Sequence, residues 1–394
     1  MEKIQIKLME HTPFVKEDGT FDKEKALMHG ARIAGVCYSK EGFETLKSEP
    51  EETTQKRMKG TLKLEHHSVY DHVNIGLEIK NIPKIMAMIL NNEKQYNTSE
   101  KSARYTPVVS GENSVITKTE QDLYDKWQII FEEKIKEQYG DVYNDEKIEK
   151  LAHENARYLV TVFMPTEMIY TVPYAQLNKI VDFMKRLLVK ENPNMLEERL
   201  VPYIIRFLSE IDKLNLSEEL LQSNRKNRDF SLIGQEKKRE NFNYTYVTSY
   251  KGTFAQLAQS QRHRTLDYEM FMLEDQEFYV PPIIEDDEKL KKEWLLDMEK
   301  VGFVFPQGQM IEIIESGNLD NFILKAKERL CVSAQLEIFN QVRETMKKYH
   351  EELSQRDQIL SKKLYKMDLR CQGMDYKCAA PCKQLKSKIK ERKV

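Results

Sequence analysis

Two arginines flank a histidine at Arg262, His263 and Arg264, inside the stretch QSQRHRTLDYE that spans residues 259–269. Guanidinium groups bind phosphate and carbonyl oxygens in a two-pronged way, so the triplet suits an anionic or carbonyl-bearing ligand. On a helix Gln259 shares a face with Arg262 and His263, adding an amide, while Phe254 and Leu257 anchor the opposite side. The same residues also fit a solvated basic patch at a helix end, where arginine favours the dipole. Far upstream, SEKSARY supplies other parts: a carboxylate at Glu100, a hydroxyl at Ser102 and a guanidinium at Arg104. A loop there can offer the hydroxyl, its backbone amides and Arg104 to a phosphate, and Glu100 to a sugar or base donor. A turn and helix N-cap with ordinary surface charge is the competing reading of that segment.

Composition bounds what these groups serve. A chain of 394 residues exceeds what one core usually supports, so two domains are expected. Lys plus Arg total 62 against 64 Asp plus Glu, which leaves no global field to draw nucleic acid or an anionic membrane. Any anion site has to be local. The longest apolar runs, IPKIMAMIL and YLVTVFM, fall far short of a bilayer span. The opening MEKIQIKLME carries charges where a signal peptide needs an apolar centre, so the expectation is a cytoplasmic protein. Three of the five cysteines crowd into the last 24 residues, a poor pattern for a disulfide framework.

Helix dominates the elements that must position the site. Apolar residues recur at helical spacing over 119–138, 145–163, 175–190, 196–213, 287–301 and 334–356. HVNIGLEIK from His72 and FNYTYVTSY from Phe242 alternate like half-buried strands. Each is followed at once by a helix, and the two stretches align without gaps at an offset of 170 residues, the signature of an internal repeat. That offset sets Asn92-Glu93-Lys94 against Arg262-His263-Arg264, and Ser99–Tyr105 against Glu269–Asp275. Each copy holds site-like chemistry where the other has none. The expected division is a first domain over 1–215, a polar surface linker over 216–229 and a second domain over 230–394.

These motifs resemble the flavin-dependent thymidylate synthase family, whose signature is Arg-His-Arg followed after seven residues by Ser-x-Arg-Tyr. EHHSVYDH resembles the family's Gly-His-x-Ser-x-x-Glu-His segment, SEKSARYTP its Asn-Glu-x-Ser-x-Arg-Tyr, and ENARYLV its Ala-Arg element. RHR and KERLCVSAQLEI, the latter like Arg-x-x-x-x-Ala-Gln-x-Glu-Ile, carry the likeness into the second half. The resemblance implies an α+β fold: two helix-rich copies, each with a small antiparallel sheet, forming a pseudo-dimer in one chain. Two chains then match the family's homotetramer.

Carried over residue by residue, Ser102, Arg104 and Arg157 are the expected catalytic groups. Glu100, Ser102, Arg104, Arg157 and Gln259 are the expected contacts to deoxyuridylate (dUMP) or a related deoxypyrimidine monophosphate. His66, Arg262, His263 and Arg264 are expected at the cofactor. The implied reaction is reductive methylation at C5 of the uracil, with FAD as cofactor and methylenetetrahydrofolate and NAD(P)H as cosubstrates. The reciprocal constellation, with Asn92, Glu93 and Lys94 facing Met270, Met272 and Glu274, is expected to be inert. Several positions depart from the pattern: the family's Asn is Ser99 here, its late Arg falls at Ala175 and near Asp320, and Met310 stands where the second copy needs a counterpart of Arg157. A related (hydroxy)methyltransferase and a nucleotide-binding pseudoenzyme stay open.

Cys331, Cys371, Cys378 and Cys382 could together supply four thiolates to a structural zinc, although the spacing lacks paired C-x-x-C. Reduced, unliganded thiols are the alternative. HHSVYDH has the composition of a metal cluster but no two histidines at i, i+4, and is not read as a metal site. The short basic run KQLKSKIKERKV reads as a solvated helix end, and a nucleic-acid partner is not expected.

Overall fold

Two four-stranded antiparallel sheets with the same strand order frame the structure, a computed structural model that describes residues 3–37, 39–40, 42–101, 108, 110, 114–222, 228–234, 236–366 and 391–394. The first copy runs β1 (Gln5–Leu8), α1 (Lys23–Ala34), α2 (Phe43–Lys47), α3 (Glu51–Lys63), β2 (Asn74–Pro83), α4 (Lys84–Leu90), β3 (Asn97–Glu100), α5 (Lys118–Tyr139), α6 (Asp145–Ala156), β4 (Pro165–Pro173), α7 (Tyr174–Leu188) and α8 (Met195–Lys213). The second runs β5 (Asn241–Phe242), β6 (Thr245–Thr253), α9 (Phe254–Ser260), β7 (Asp267–Met272), α10 (Pro282–Glu285), α11 (Glu288–Val301), β8 (Met310–Asn318), α12 (Leu319–Arg329), α13 (Leu336–Arg356) and α14 (Gln358–Tyr365). Sheet order is β1-β2-β4-β3 in one and β5-β6-β8-β7 in the other, the same plan twice.

The repeat offset seen in the sequence holds at its centre and changes later. α4 and α9 start at Lys84 and Phe254, still 170 residues apart, whereas α7 and α12 start at Tyr174 and Leu319, 145 apart. The second copy has lost a long helix like α5 between its third and fourth strands. This corrects one expectation: at the shorter spacing Arg157, in the 3-10 turn Arg157–Leu159, answers to Gly302 in the turn Gly302–Val304, and Met310 answers to Pro165. A second loss lies at the start of the copy. A turn at Asn243 and Tyr244 joins β5 to β6, where the first copy inserts α1, α2, α3 and the His66 segment.

By contact the chain divides into two compact units, Met1–Lys101 with Pro165–Ser231, and Ser102–Met164 with Leu232–Val394. The second unit therefore takes α5 and α6 from the first copy. In the first unit, Ile75, Leu77 and Ile79 of β2 point inward and are fully buried, as the period of two requires. Phe21 packs on Tyr174 with ring centroids 5.1 Å apart. Asn194 and Glu197 form a reciprocal capping box at the start of α8. In the second unit, Trp127 of α5 and Trp294 of α11 meet edge to face at 4.9 Å, and the buried Asp297 accepts from Trp127 Nε1 at 2.9 Å. Glu120 closes the capping box of α5 and also accepts from the amide of Thr161 at 2.8 Å.

Within this second unit the copies meet through residues at equivalent places. Val162 N–H donates to Phe305 O at 2.8 Å, and Gln307 N–H donates to Val160 O at 2.8 Å. Exchanging the copies at the 145-residue spacing turns one bond into the other, which is the pattern of a two-fold interface. This seam also explains why α6 stops at Ala156 although apolar spacing suggested helix to 163. The run RYLVTVFM is buried at every residue, and its backbone leaves the helix to make these bonds.

The stretch read as a polar linker carries its own anchors. Leu216 and Leu221 are buried, and so is Phe230 just past its end, against Phe183 at 5.6 Å. Beside them, Glu93 is fully buried: its carboxylate accepts from Arg228 Nη2 at 2.8 Å, Arg228 Nη1 at 3.3 Å, Ser231 N–H at 2.6 Å and Ser231 Oγ at 2.8 Å. A paired buried charge turns costly once one partner is removed. Arg228→Ala is expected to lower stability by about 3 kcal/mol, because Ser231 alone then compensates Glu93, while Glu93→Gln costs less. Urea unfolding followed by circular dichroism measures both, and an unaffected R228A midpoint would show that the pair holds nothing together.

Candidate functional site

α9 is set by its own N-terminus. Thr253 caps it, its Oγ1 accepting from the Gln256 amide at 3.0 Å. Gly252 precedes the cap, and a Cβ there would lie 2.1 Å from Gln256 Oε1, so glycine is what lets the Gln256 amide pack against the strand. Gln256 and Gln259 sit one turn apart on the buried side of α9. Each leaves one buried amide atom, Gln256 Nε2 and Gln259 Oε1, without a hydrogen-bond partner among the described residues. Such atoms cost roughly 1–3 kcal/mol each and mark a place where a partner is missing.

The helix ends at Ser260, so Arg262, His263 and Arg264 lie on the following turn and not on the helix that their spacing suggested. Arg262 N–H reaches Gln259 O at 3.2 Å and His263 N–H reaches Ser260 O at 3.0 Å. This tighter geometry turns His263 inward and leaves Arg262 and Arg264 exposed. His263 Nε2 accepts from Arg329 Nε at 2.7 Å, which places the ring proton on Nδ1. Burial, then Arg329, Lys325 and Arg262, push the imidazole down to about 3, so it is neutral at physiological pH. It serves as an acceptor that orients Arg329.

Gln259 is held from its other end by a directional chain. Its Nε2 donates to Gln335 Oε1, Gln335 Nε2 donates to the Tyr158 hydroxyl, and that hydroxyl donates to Glu337 Oε2 at 2.9 Å. Thr253 completes the end of the chain with N–H to Glu337 Oε1 at 2.9 Å and Oγ1 to Oε2 at 2.8 Å. Burial raises Glu337 to about 7 against the lowering effect of the bonds from Thr253 and Tyr158. Arg157, the residue before Tyr158, is buried at the end of α6. A cavity of about 530 Å³ opens beside this group, with Gln256, Glu337, Tyr250, Tyr279, Met310 and Lys251 in its wall. Its size suits a small ligand.

The second unit thus collects Arg157, Gln259, Arg262, His263 and Arg264 from the expected set. Glu100 belongs to the first unit, where Lys84 Nζ donates to it at 2.5 Å and Asn91 Nδ2 at 3.2 Å. His66 is exposed in the same unit, just before the 3-10 turn His67–His72. Ser102 and Arg104 lie outside the described residues, as do Cys371, Cys378 and Cys382. Cys331 is half-buried, its Sγ 3.5 Å from the Ser333 amide, and no cluster of three metal-ligating side chains occurs among the described residues. Tyr158 and Glu337 join the site without a spacing pattern that marks them. A glutamate inside the apolar run QLEIF was the available signal, since a carboxylate there has to find donors in the interior.

Fold and site define a class first: an α+β protein built from two copies of one sheet-and-helix plan, with amides and guanidinium groups gathered on one helix and the turn after it. Residues 22–186 match the family described as thymidylate synthase complementing protein. The match covers most of the first copy and agrees with the resemblance that the motifs carry. Among solved structures it is similar to thymidylate synthase X from Helicobacter pylori with FAD and dUMP, 15% identical over 56% of this chain and 100% of that one, TM-score 0.32. It is also similar to the UMP/dUMP methylase PolB from Streptomyces cacaoi bound with 5-Br dUMP, 14% identical over 56% and 94%, TM-score 0.32. No curated protein matches the sequence. Among the described residues no helix is long and apolar enough to cross a membrane.

The buried histidine makes a pH prediction. Its folded value lies below the ordinary one, so the unfolded chain takes up the proton first, and the stability tied to neutral His263 is present above about 6.5 and lost as pH falls toward about 3. Chemical unfolding at descending pH is expected to show a steeper loss for the wild type than for His263→Gln. Equal slopes would mean that His263 is not held neutral.

Proposed function

We propose that the chain is an FAD-dependent enzyme that methylates a deoxypyrimidine monophosphate at C5, with deoxyuridylate the first candidate substrate. The observation that carries this reading is the pair of buried, unpartnered amide atoms on α9, followed at once by exposed Arg262 and Arg264 around an uncharged His263. The amides can read a heterocycle edge, and the two guanidinium groups can hold a pyrophosphate. The residues present therefore fit a dinucleotide flavin. Bound reduced flavin would supply hydride, methylenetetrahydrofolate the carbon, and NAD(P)H the reducing equivalents.

The protein's part is binding and electrostatics. Arg157 and Arg104 are assigned to the pyrimidine carbonyls and the phosphate, where positive charge stabilises the negative charge that builds on oxygen as C5 becomes nucleophilic. Ser102 and Glu100 are assigned to phosphate and sugar, Gln259 to the base, and His66 to the cofactor. Two chains would together reproduce the family's tetrameric arrangement. Zinc bound by Cys331, Cys371, Cys378 and Cys382 belongs to the same proposal as a structural ion. A second reading, a nucleotide-binding protein without catalysis, is favoured by one observation: the Glu100 carboxylate is already engaged by Lys84 and Asn91.

The test is the visible absorption spectrum of the purified protein with added FAD, for wild type, Arg262→Ala and Arg104→Ala. Wild type is expected to hold flavin, R262A to weaken it about tenfold or more, and R104A to keep flavin but lose deoxyuridylate affinity. Turnover of deoxyuridylate with methylenetetrahydrofolate and NAD(P)H then separates enzyme from binder. Absence of flavin binding in the wild type would overturn the redox reading.

A further inference from the structure

The chain of hydrogen bonds behind Gln259 has a direction, and its origin is the carboxylate of Glu337. Oε1 of Glu337 is held by the Thr253 N–H, and Oε2 receives both the Thr253 and the Tyr158 hydroxyls. An ionised carboxylate only accepts, so Tyr158 has to donate to it and presents its own oxygen to Gln335. Gln335 answers with Nε2, which leaves Oε1 for Gln259, and Gln259 answers with Nε2. Its carbonyl Oε1 is thereby left as the unpartnered buried end. Gln335 cannot turn over without breaking two buried bonds, and Gln259 cannot without setting its carbonyl against that of Gln335.

We propose that Glu337, acting through Tyr158 and Gln335, fixes the Gln259 amide with its carbonyl as the unbonded end of the chain and so selects a nucleobase that offers a ring N–H, an imide such as uracil, over one that offers a bare ring nitrogen, such as cytosine. The inference rests on the reading of Gln259 as a pyrimidine contact. Tyr158, Gln335 and Glu337 are positioning residues under this proposal. Replacing the carboxylate by an amide reverses the chain: Gln at 337 keeps its carbonyl toward the Thr253 N–H and turns its NH2 to Tyr158, which then donates to Gln335. Gln335 and Gln259 both turn over, and Gln259 presents N–H.

The groups facing Glu337 are Tyr158, Thr253 and Tyr279, with Glu154 of α6, Glu285 of α10 and Arg392 acting on the same tyrosines. Lys251 and Glu277, paired at 2.6 Å, and Glu344 and Lys348 of α13 stand further out along the cavity. Since Glu337 is raised to about 7, binding is measured near pH 8.5, where the carboxylate is ionised.

The experiment is calorimetric titration of the full-length, FAD-loaded protein with deoxyuridine and deoxycytidine monophosphates. Wild type is expected to prefer the uracil nucleotide. Glu337→Gln should shift the affinity ratio toward cytosine by about tenfold or more. Tyr158→Phe removes the central link, so the ratio should fall toward one without inverting. Circular dichroism checks that each variant is folded, and a purely structural role for Glu337 would lower both affinities together. A folded E337Q protein with the wild-type ratio overturns the inference and leaves the proposed function standing. Wild type that binds flavin but neither nucleotide overturns the pyrimidine reading of Gln259, and the inference with it.

Discussion

The reciprocal pair of backbone bonds between 160–162 and 305–307 is the interaction on which the second unit is organised. It joins residues that occupy the same place in the two copies, so each backbone strand satisfies the other where neither could remain helical. Around it collect the groups that matter for the site: Arg157 and Tyr158 on one side, and Gly308, whose N–H reaches Tyr158 O at 2.8 Å, on the other. The Tyr158 hydroxyl can meet Gln335 and Glu337 because this seam fixes its backbone.

The two copies solve one packing problem differently. The position after the fourth-helix turn of the first copy holds Glu93, buried and neutralised by Arg228. The corresponding position in the second holds His263, which avoids the charge by staying unprotonated against Arg329. A closed ion pair leaves nothing to offer a ligand, whereas the uncharged ring leaves the arginines on either side facing solvent.

Much of this was legible in the sequence. The strong periodicities at α5, α7, α8, α11 and α13 set those helices to within about two residues, and the alternation at β2 and β6 set the strands. The repeat was visible because β2 with α4 and β6 with α9 keep one spacing. What failed did so for physical reasons. The end of α9 carries neither Gly nor Pro, so nothing in QSQRHR announces that His263 leaves the helix. Met310 was misplaced because the loss of an α5-like helix shortens the later spacing. The anchoring role of Arg228 depends on Glu93, more than a hundred residues away, and no local pattern encodes that pairing.

The turn at Asn243 and Tyr244 has a consequence for how the two sheets form. β5 meets β6 across two residues, but β1 meets β2 only after the stretch from Met9 to Val73 has been looped out. Closing the longer loop costs roughly 3 kcal/mol more by chain statistics, and non-local pairing slows folding. One topology is thus reached by two kinetic routes: in the second copy the hairpin sets strand register at once, while in the first the edge strand waits for the helices between to settle.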